Sequence, residues 1–104
     1  MSSGTPNITC AVAGDLTSTT AAAYRTQIEQ KMAASTRDQP GWSFLELDLR
    51  AARMIDSVGL NLLVSIIKGV KEKGGNVRLL ISHPNIQRIL AFTRIDKHAE
   101  VKLC

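Results

Sequence analysis

Short apolar stretches alternate with longer segments of helical spacing along the whole chain. That alternation narrows the fold more than any other feature. Residues 8–13, 42–49, 77–81 and 99–103 read as strands. In 42–49 the alternation is partial, with Trp42, Phe44 and the leucines set against Ser43, Glu46 and Asp48. Between the strands, residues 21–34 carry Tyr24, Ile28 and Met32 at four-residue spacing, behind candidate N-cap hydroxyls at residues 17–20. From residue 57 the helical rhythm is strongest: Leu60, Leu63, Val64, Ile67 and Val70, with Leu62 and Ile66 widening the stripe. Gly74-Gly75 stops that helix. A third helix starts at Ser82-His83-Pro84, with proline in the first turn, and continues through Ile86, Ile89 and Leu90. Strand and helix in turn predict one α/β domain with right-handed crossovers. Its central sheet is mainly parallel (mixed), of four to five strands, with helices packed against it. Residues 1–7 are expected to be a flexible N-terminus and residues 8–104 the domain. Turns are expected at Gly14-Asp15 and residues 96–98, and a loop at 37–41 around Pro40.

Composition excludes more than it assigns. The chain has 104 residues and 44% hydrophobic residues, enough for a core without disulfides or a metal. The net charge of +4 is spread along the chain rather than gathered in a block. Lys68, Lys71 and Lys73 form the densest basic group and read as a solvated helix face. Only Trp42, Tyr24, Phe44 and Phe92 could stack on bases, so a nucleic-acid partner is not expected. Cys10 and Cys104 match no metal or redox spacing, which points to a reduced, cytoplasmic protein. The start of the chain has neither the basic nor the apolar region of a signal peptide, and no apolar run approaches the roughly 20 residues of a membrane span.

The chemistry-bearing stretch is Asp56-Ser57-Val58-Gly59-Leu60, where a buried strand hands over to the best helix. A hydroxyl at that junction can cap the helix, carry a phosphate or act as a nucleophile. As an N-cap, Ser57 would accept an orphan backbone N–H, contributing about 1 kcal/mol. A phosphate is also physically reasonable there, because a helix N-terminus presents unsatisfied N–H groups and a partial positive charge. Asp56 reads either as a carboxylate favoured by the helix dipole or as a docking contact. Gly59 allows close approach of a partner or a neighbouring loop. Val58 and Leu60 cannot both face the core if residue 57 is exposed. The nucleophile reading is the weakest: Ile55 breaks the Gly-x-Ser-x-Gly elbow, His83 reads as a helix-start residue and His98 lies in a turn. No zinc spacing, P-loop or dinucleotide fingerprint is present.

These residues resemble the STAS domain in its small stand-alone form, the bacterial anti-sigma factor antagonist. The resemblance runs over residues 8–101. It rests on Asp56-Ser57-Val58-Gly59-Leu60, on Gly14-Asp15-Leu16, on Gly74-Gly75-Asn76-Val77, on Ser82-His83-Pro84 and on Phe92-Thr93-Arg94-Ile95, in that family's order and spacing. It implies that Ser57 is the phosphorylation site, and that Asp15, Thr17, Asp56, Ser57, Val58, Gly59 and Leu60 meet the partner. It implies a monomeric, non-enzymatic regulator without a cofactor. Unmodified, that regulator would bind an anti-sigma factor that is also a GHKL-type serine kinase, and phosphorylation would release it. A metal-dependent serine phosphatase would reverse the modification. The alternative output is not a sigma factor but secretion or a sensory complex. The chain departs from the family pattern at Val58, where a second hydroxyl is common, and at Thr17, where Asp is common. It also leaves little room for a strand before Ile8 or a covering helix after Leu103.

Overall fold

The computed structural model describes residues 8–38 and 42–103. The expected flexible N-terminus, the middle of the expected 37–41 loop with Pro40, and Cys104 lie outside the described residues. Within them the strands are β1 (Ile8–Ala11), β2 (Phe44–Asp48), β3 (Asn76–Ile81) and β4 (Glu100–Leu103). The helices are α1 (Ala21–Asp38), α2 (Ser57–Glu72) and α3 (Pro84–Phe92), with one 3-10 turn, Ile95–Lys97, where the sequence predicts a turn. Among the described residues the sheet is four-stranded, in the order β1-β2-β3-β4, and every pairing is parallel.

That strand order decides where the helices go. Each strand–helix–strand unit steps to the next position in the same direction. Right-handed crossovers then place all three helices on one face. Burial alternates accordingly. Leu45, Leu47, Val77, Leu79 and Ile81 are sealed under the helices, while Thr9, Ala11, Asn76 and Lys102 on the other face are exposed. α2 covers the sheet centre with Leu62, Leu63, Ile66, Ile67 and Val70, each contributing about 1.5–3 kcal/mol of burial. α1 adds Ile28, with Tyr24 and Met32 half-buried beside it, on the stripe that their spacing predicts. Cys10 faces the core, and burial pushes its thiol pKa up, so it behaves as a small apolar side chain.

Two details differ from the sequence reading. Phe44 does not join the leucines of β2. It shares parity with Glu46 and Asp48 on the uncovered face, where the Arg78 guanidinium lies 4.8 Å from its ring centre. Arg78 also bridges the strands on either side, 3.1 Å from Glu46 and 3.2 Å from Glu100. The second difference is that α1 runs on past Ala34 to Asp38. Thr36 explains the extension: its hydroxyl donates to the Met32 carbonyl at 2.8 Å and accepts the Trp42 indole N–H at 2.8 Å. The Trp42 contact thereby holds a last turn in which Ser35, Thr36 and Asp38 are weak helix formers.

Candidate functional site

The Ser57 motif lies at the edge of the sheet where the strands' carboxyl ends open into loops. Residues 12–20 leave β1, and residues 49–56 leave β2. Two aspartates tie these loops together. The Asp15 carboxylate accepts the backbone N–H of Arg53 at 2.8 Å and of Met54 at 3.2 Å. The Asp56 carboxylate accepts the N–H of Gly59 at 2.9 Å with one oxygen and the N–H of Ser18 at 2.8 Å with the other. Between them Leu16 forms a parallel bridge with Ile55. Its N–H donates to the Met54 carbonyl at 3.1 Å, and its carbonyl accepts the Asp56 N–H at 3.2 Å.

The helix cap is therefore Asp56, not Ser57. Asp56 has extended backbone angles and Ser57 is already the first helical residue. A carboxylate wins this position because it serves two donors at once and meets the positive end of α2. Those backbone donors, Gly59 first and then Ser18, hold the Asp56 carboxyl below the usual carboxylate range. Gly59 is buried against the Leu16 backbone, and a Cβ there would drive into the Leu16 carbonyl. Its job is to let the first turn of α2 touch the β1 loop.

Capping by Asp56 leaves the Ser57 side chain exposed at the helix start, and among the described residues its hydroxyl has no hydrogen-bond partner. Four other hydroxyls of this edge are engaged. Thr17 and Thr19 share a hydrogen bond at 3.0 Å. Thr20 donates to the Asp15 carbonyl at 2.8 Å, and Ser82 donates to the Arg50 carbonyl at 2.7 Å. Ser18 reaches the Asp56 carboxylate through its backbone N–H.

The seven residues expected to face a partner come together here, with different degrees of access. Ser57 and Val58 are exposed, Asp15 is exposed but bonded, Thr17, Asp56 and Leu60 are half-buried, and Gly59 is buried. Of the two apolar neighbours, Val58 turns outward and Leu60 packs against the core. Met54 adds a further apolar surface, 57% exposed. The sequence reading missed Met54 and Ser18. A lone methionine before the motif was a faint sign of the first. Nothing pointed to the second, whose partner lies 38 residues away. The two histidines weighed for the nucleophile reading have other places: His83 caps α3, its Nδ1 accepting the Asn85 N–H at 3.2 Å, and His98 follows the 3-10 turn.

The sequence matches the STAS domain over residues 3–103. Among curated proteins nothing matches. In architecture the chain is similar to the crystal structure of a proposed anti-sigma factor antagonist from Thermotoga maritima. The TM-score is 0.79 at 18% identity, covering 96% of this chain and 82% of that one. It is similar also to an NMR structure of the same Thermotoga protein, with a TM-score of 0.73 at 19% identity, covering 95% of this chain and 76% of that one. Those identities speak for the fold. Among the described residues no helix is long and apolar enough to cross a membrane. With the domain match running over nearly its whole length, the chain belongs to the STAS domain family.

Proposed function

We propose that this protein is a phosphorylation-controlled regulator of the anti-sigma factor antagonist type, switched at Ser57. The observation that carries the reading is the contrast among hydroxyls at the carboxyl edge: Ser57 is exposed and unengaged, while its neighbours are bonded. A kinase needs an acceptor hydroxyl that it can approach without first breaking structure. Ser57 meets that requirement, and the Asp15 and Asp56 braces hold the surface around it in one shape.

Phosphorylation would add about −1.5 to −2 charges beside the Asp56 carboxylate. The cap geometry makes this a local event. The Ser57 side chain points into solvent, so the fold has no need to rearrange. A partner seated on Met54, Ser57 and Val58 would meet that charge directly. Opposing like charges cost several kcal/mol, and about 1.4 kcal/mol is tenfold in affinity. One phosphate then suffices to release a bound anti-sigma kinase of the GHKL type, and a metal-dependent serine phosphatase would restore binding.

The test begins with Ser57→Ala as bait in the source organism, and mass spectrometry of what it retains. The retained kinase is then incubated with wild-type protein, ATP and Mg²⁺, and the phosphate is mapped. The expected result is a single phosphate on Ser57, loss of the complex on modification, and at least tenfold weaker binding by Ser57→Asp. Phosphate on Thr19, Thr20 or Ser82 instead would overturn the reading. A retained kinase with no sigma factor among its own partners would place the same switch in a secretion or sensory complex.

A further inference from the structure

A second surface lies on the far half of α2. A groove of about 200 Å³ runs between α2 and the 3-10 turn, lined by Val64, Ile67, Lys68, Lys71, Ile95 and His98. Its floor is apolar: Ile67 and Ile95 are buried below, and Val64 is 46% exposed at the wall. Its rim is basic. Lys68, Lys71 and His98 line it, and none of the lining residues is acidic. Lys97 and Asp96 are the remaining charges of the turn. The other flank of α2 has the opposite character. The cleft toward α1 is lined by Glu29 and Glu72 together with Met32, Ser65, Ile66, Lys68 and Gly69.

Size and charge choose the occupant. Sites for small ligands usually run from about 300 to 1,000 Å³ and enclose most of the ligand. This groove is smaller and open to one side. It suits one large apolar side chain, the kind of anchor that carries most of the energy in a protein interface. An anchor delivered here brings its flanking residues onto Lys68, Lys71 and His98. Carboxylates are the complement of that rim, and the chain's net charge of +4 favours an acidic visitor over the whole surface.

We propose that this groove docks an acidic segment of a partner protein, which inserts one Leu, Ile or Phe side chain between Val64 and Ile95 and sets carboxylates against Lys68 and Lys71. The site is separate from the Ser57 switch. Along the helix Ser57 is about 10 Å from Val64, the nearer wall of the groove, and about 21 Å from Lys71. Both surfaces can therefore be occupied together, and phosphorylation of Ser57 leaves the groove unchanged.

The test is a titration of the ¹⁵N-labelled full chain with short helical peptides. Each carries a single Leu, Ile or Phe flanked by glutamates, and matched controls carry lysines instead. At least one acidic peptide should shift the amides of Val64, Ile67, Lys68, Lys71, Ile95 and His98, and leave residues 54–60 in place. Lys68→Glu with Lys71→Glu, both exposed positions, should weaken it tenfold or more, and Ser57→Asp should leave it unchanged. The proposal is overturned if no acidic peptide binds, if the lysine peptides bind equally, or if the shifts centre on residues 54–60. Two further results would replace the occupant and so overturn it. Concentration-dependent shifts of the groove without peptide would seat a second copy of this chain there. Saturable binding of decanoate without peptide binding would seat a small anionic amphiphile. Failure of Ser57 phosphorylation leaves every one of these readings intact, so the two proposals fall separately.

Discussion

The two ends of the sheet are closed by the same device and finished with different materials. At the carboxyl edge Gly59 lies against the Leu16 carbonyl, and the same carbonyl accepts the Asp56 N–H at 3.2 Å. At the amino edge Gly75 lies against the Ser43 carbonyl, and the same carbonyl accepts the Asn76 N–H at 2.7 Å. Each glycine lets a helix end pack on the backbone of a neighbouring loop. Around Gly59 the seal is completed by two carboxylates bonded to backbone N–H groups. Around Gly75 it is completed by Val70, by buried Trp42 and by Lys73, whose ammonium lies 3.7 Å from the centre of the indole ring. The first seal rests on carboxylates, the second on apolar packing and one ammonium. Acid is therefore expected to loosen the carboxyl edge first, the end that carries Ser57.

The largest effects should come from filling the two glycine contacts. Gly59→Ala and Gly75→Ala each force a Cβ against backbone, which cannot yield as a side chain does, and each should cost about 3 kcal/mol in urea unfolding. They should part in binding. Gly59→Ala moves the first turn of α2 off the β1 loop and should abolish capture of the Ser57-dependent partner, whereas folded Gly75→Ala should bind normally. Equal loss of binding by both would dissolve the distinction between the ends.

Acid should separate them next. Asp56 titrates below its ordinary value of 3.8 because Gly59 and Ser18 donate to it, and Asp48, at the end of β2, is lowered chiefly by its hydrogen bonds from Arg50. A lowered folded-state pKa means that the stabilisation is fully present above about 3.8 and is lost as pH falls through the folded value beneath it. Hydrogen exchange on the acid side should then open the Ser18 and Gly59 amides first, while Gly75 and Asn76 stay protected. Asp56→Asn should flatten that acid response at the carboxyl edge. Uniform opening of both ends would show that the carboxylates are not what holds the first one.

The amino-edge seal has its own smaller probe. Lys73→Met keeps the aliphatic stem over Trp42 and removes the charge, and should cost about 0.5–1 kcal/mol with no acid dependence.

The sequence carried the alternation of strands and helices, the core stripes of α1 and α2, and the junction at Ser57, because these rest on local periodicity. It did not carry which residue caps α2. Ser57 and Asp56 are both good caps in isolation, and the choice is made by Ser18, whose N–H arrives from another loop. Phe44 was misread for a related reason. Its apolar character suggests the core, but parity with Glu46 and Asp48 puts it on the open face, where Arg78 occupies its ring. The unengaged state of Ser57 was also invisible, since it depends on the Asp56 carboxylate taking the cap and on four other hydroxyls finding other partners. Hydrogen bonds made in the folded loops, not composition, distinguish Ser57 from its neighbours.

The smallest effect concerns how two helices end. α2 is followed by Gly74 at φ 83°, where glycine is at ease. α3 is capped by Thr93 and followed by Arg94 at φ 62° and ψ 20°, a left-handed conformation that costs an ordinary side chain about 1–2 kcal/mol. Arg94 is held there from both sides: its N–H donates to the Ala91 carbonyl at 3.1 Å, and its carbonyl accepts the Lys97 N–H at 3.1 Å. Arg94→Gly removes the steric cost and takes back about 0.4–1 kcal/mol through the more flexible unfolded chain. The net should be a gain of about 0.5 kcal/mol, read as a higher urea midpoint at unchanged slope. Gly74→Ala is the mirror experiment and should lose about 1 kcal/mol. If Arg94→Gly destabilised the protein, the guanidinium would be contributing more than its backbone costs. The groove lined by Ile95, the residue after Arg94, and by His98 would then be the place to look for its contact, with acidic peptide binding to the Arg94→Gly variant as the measurement that decides.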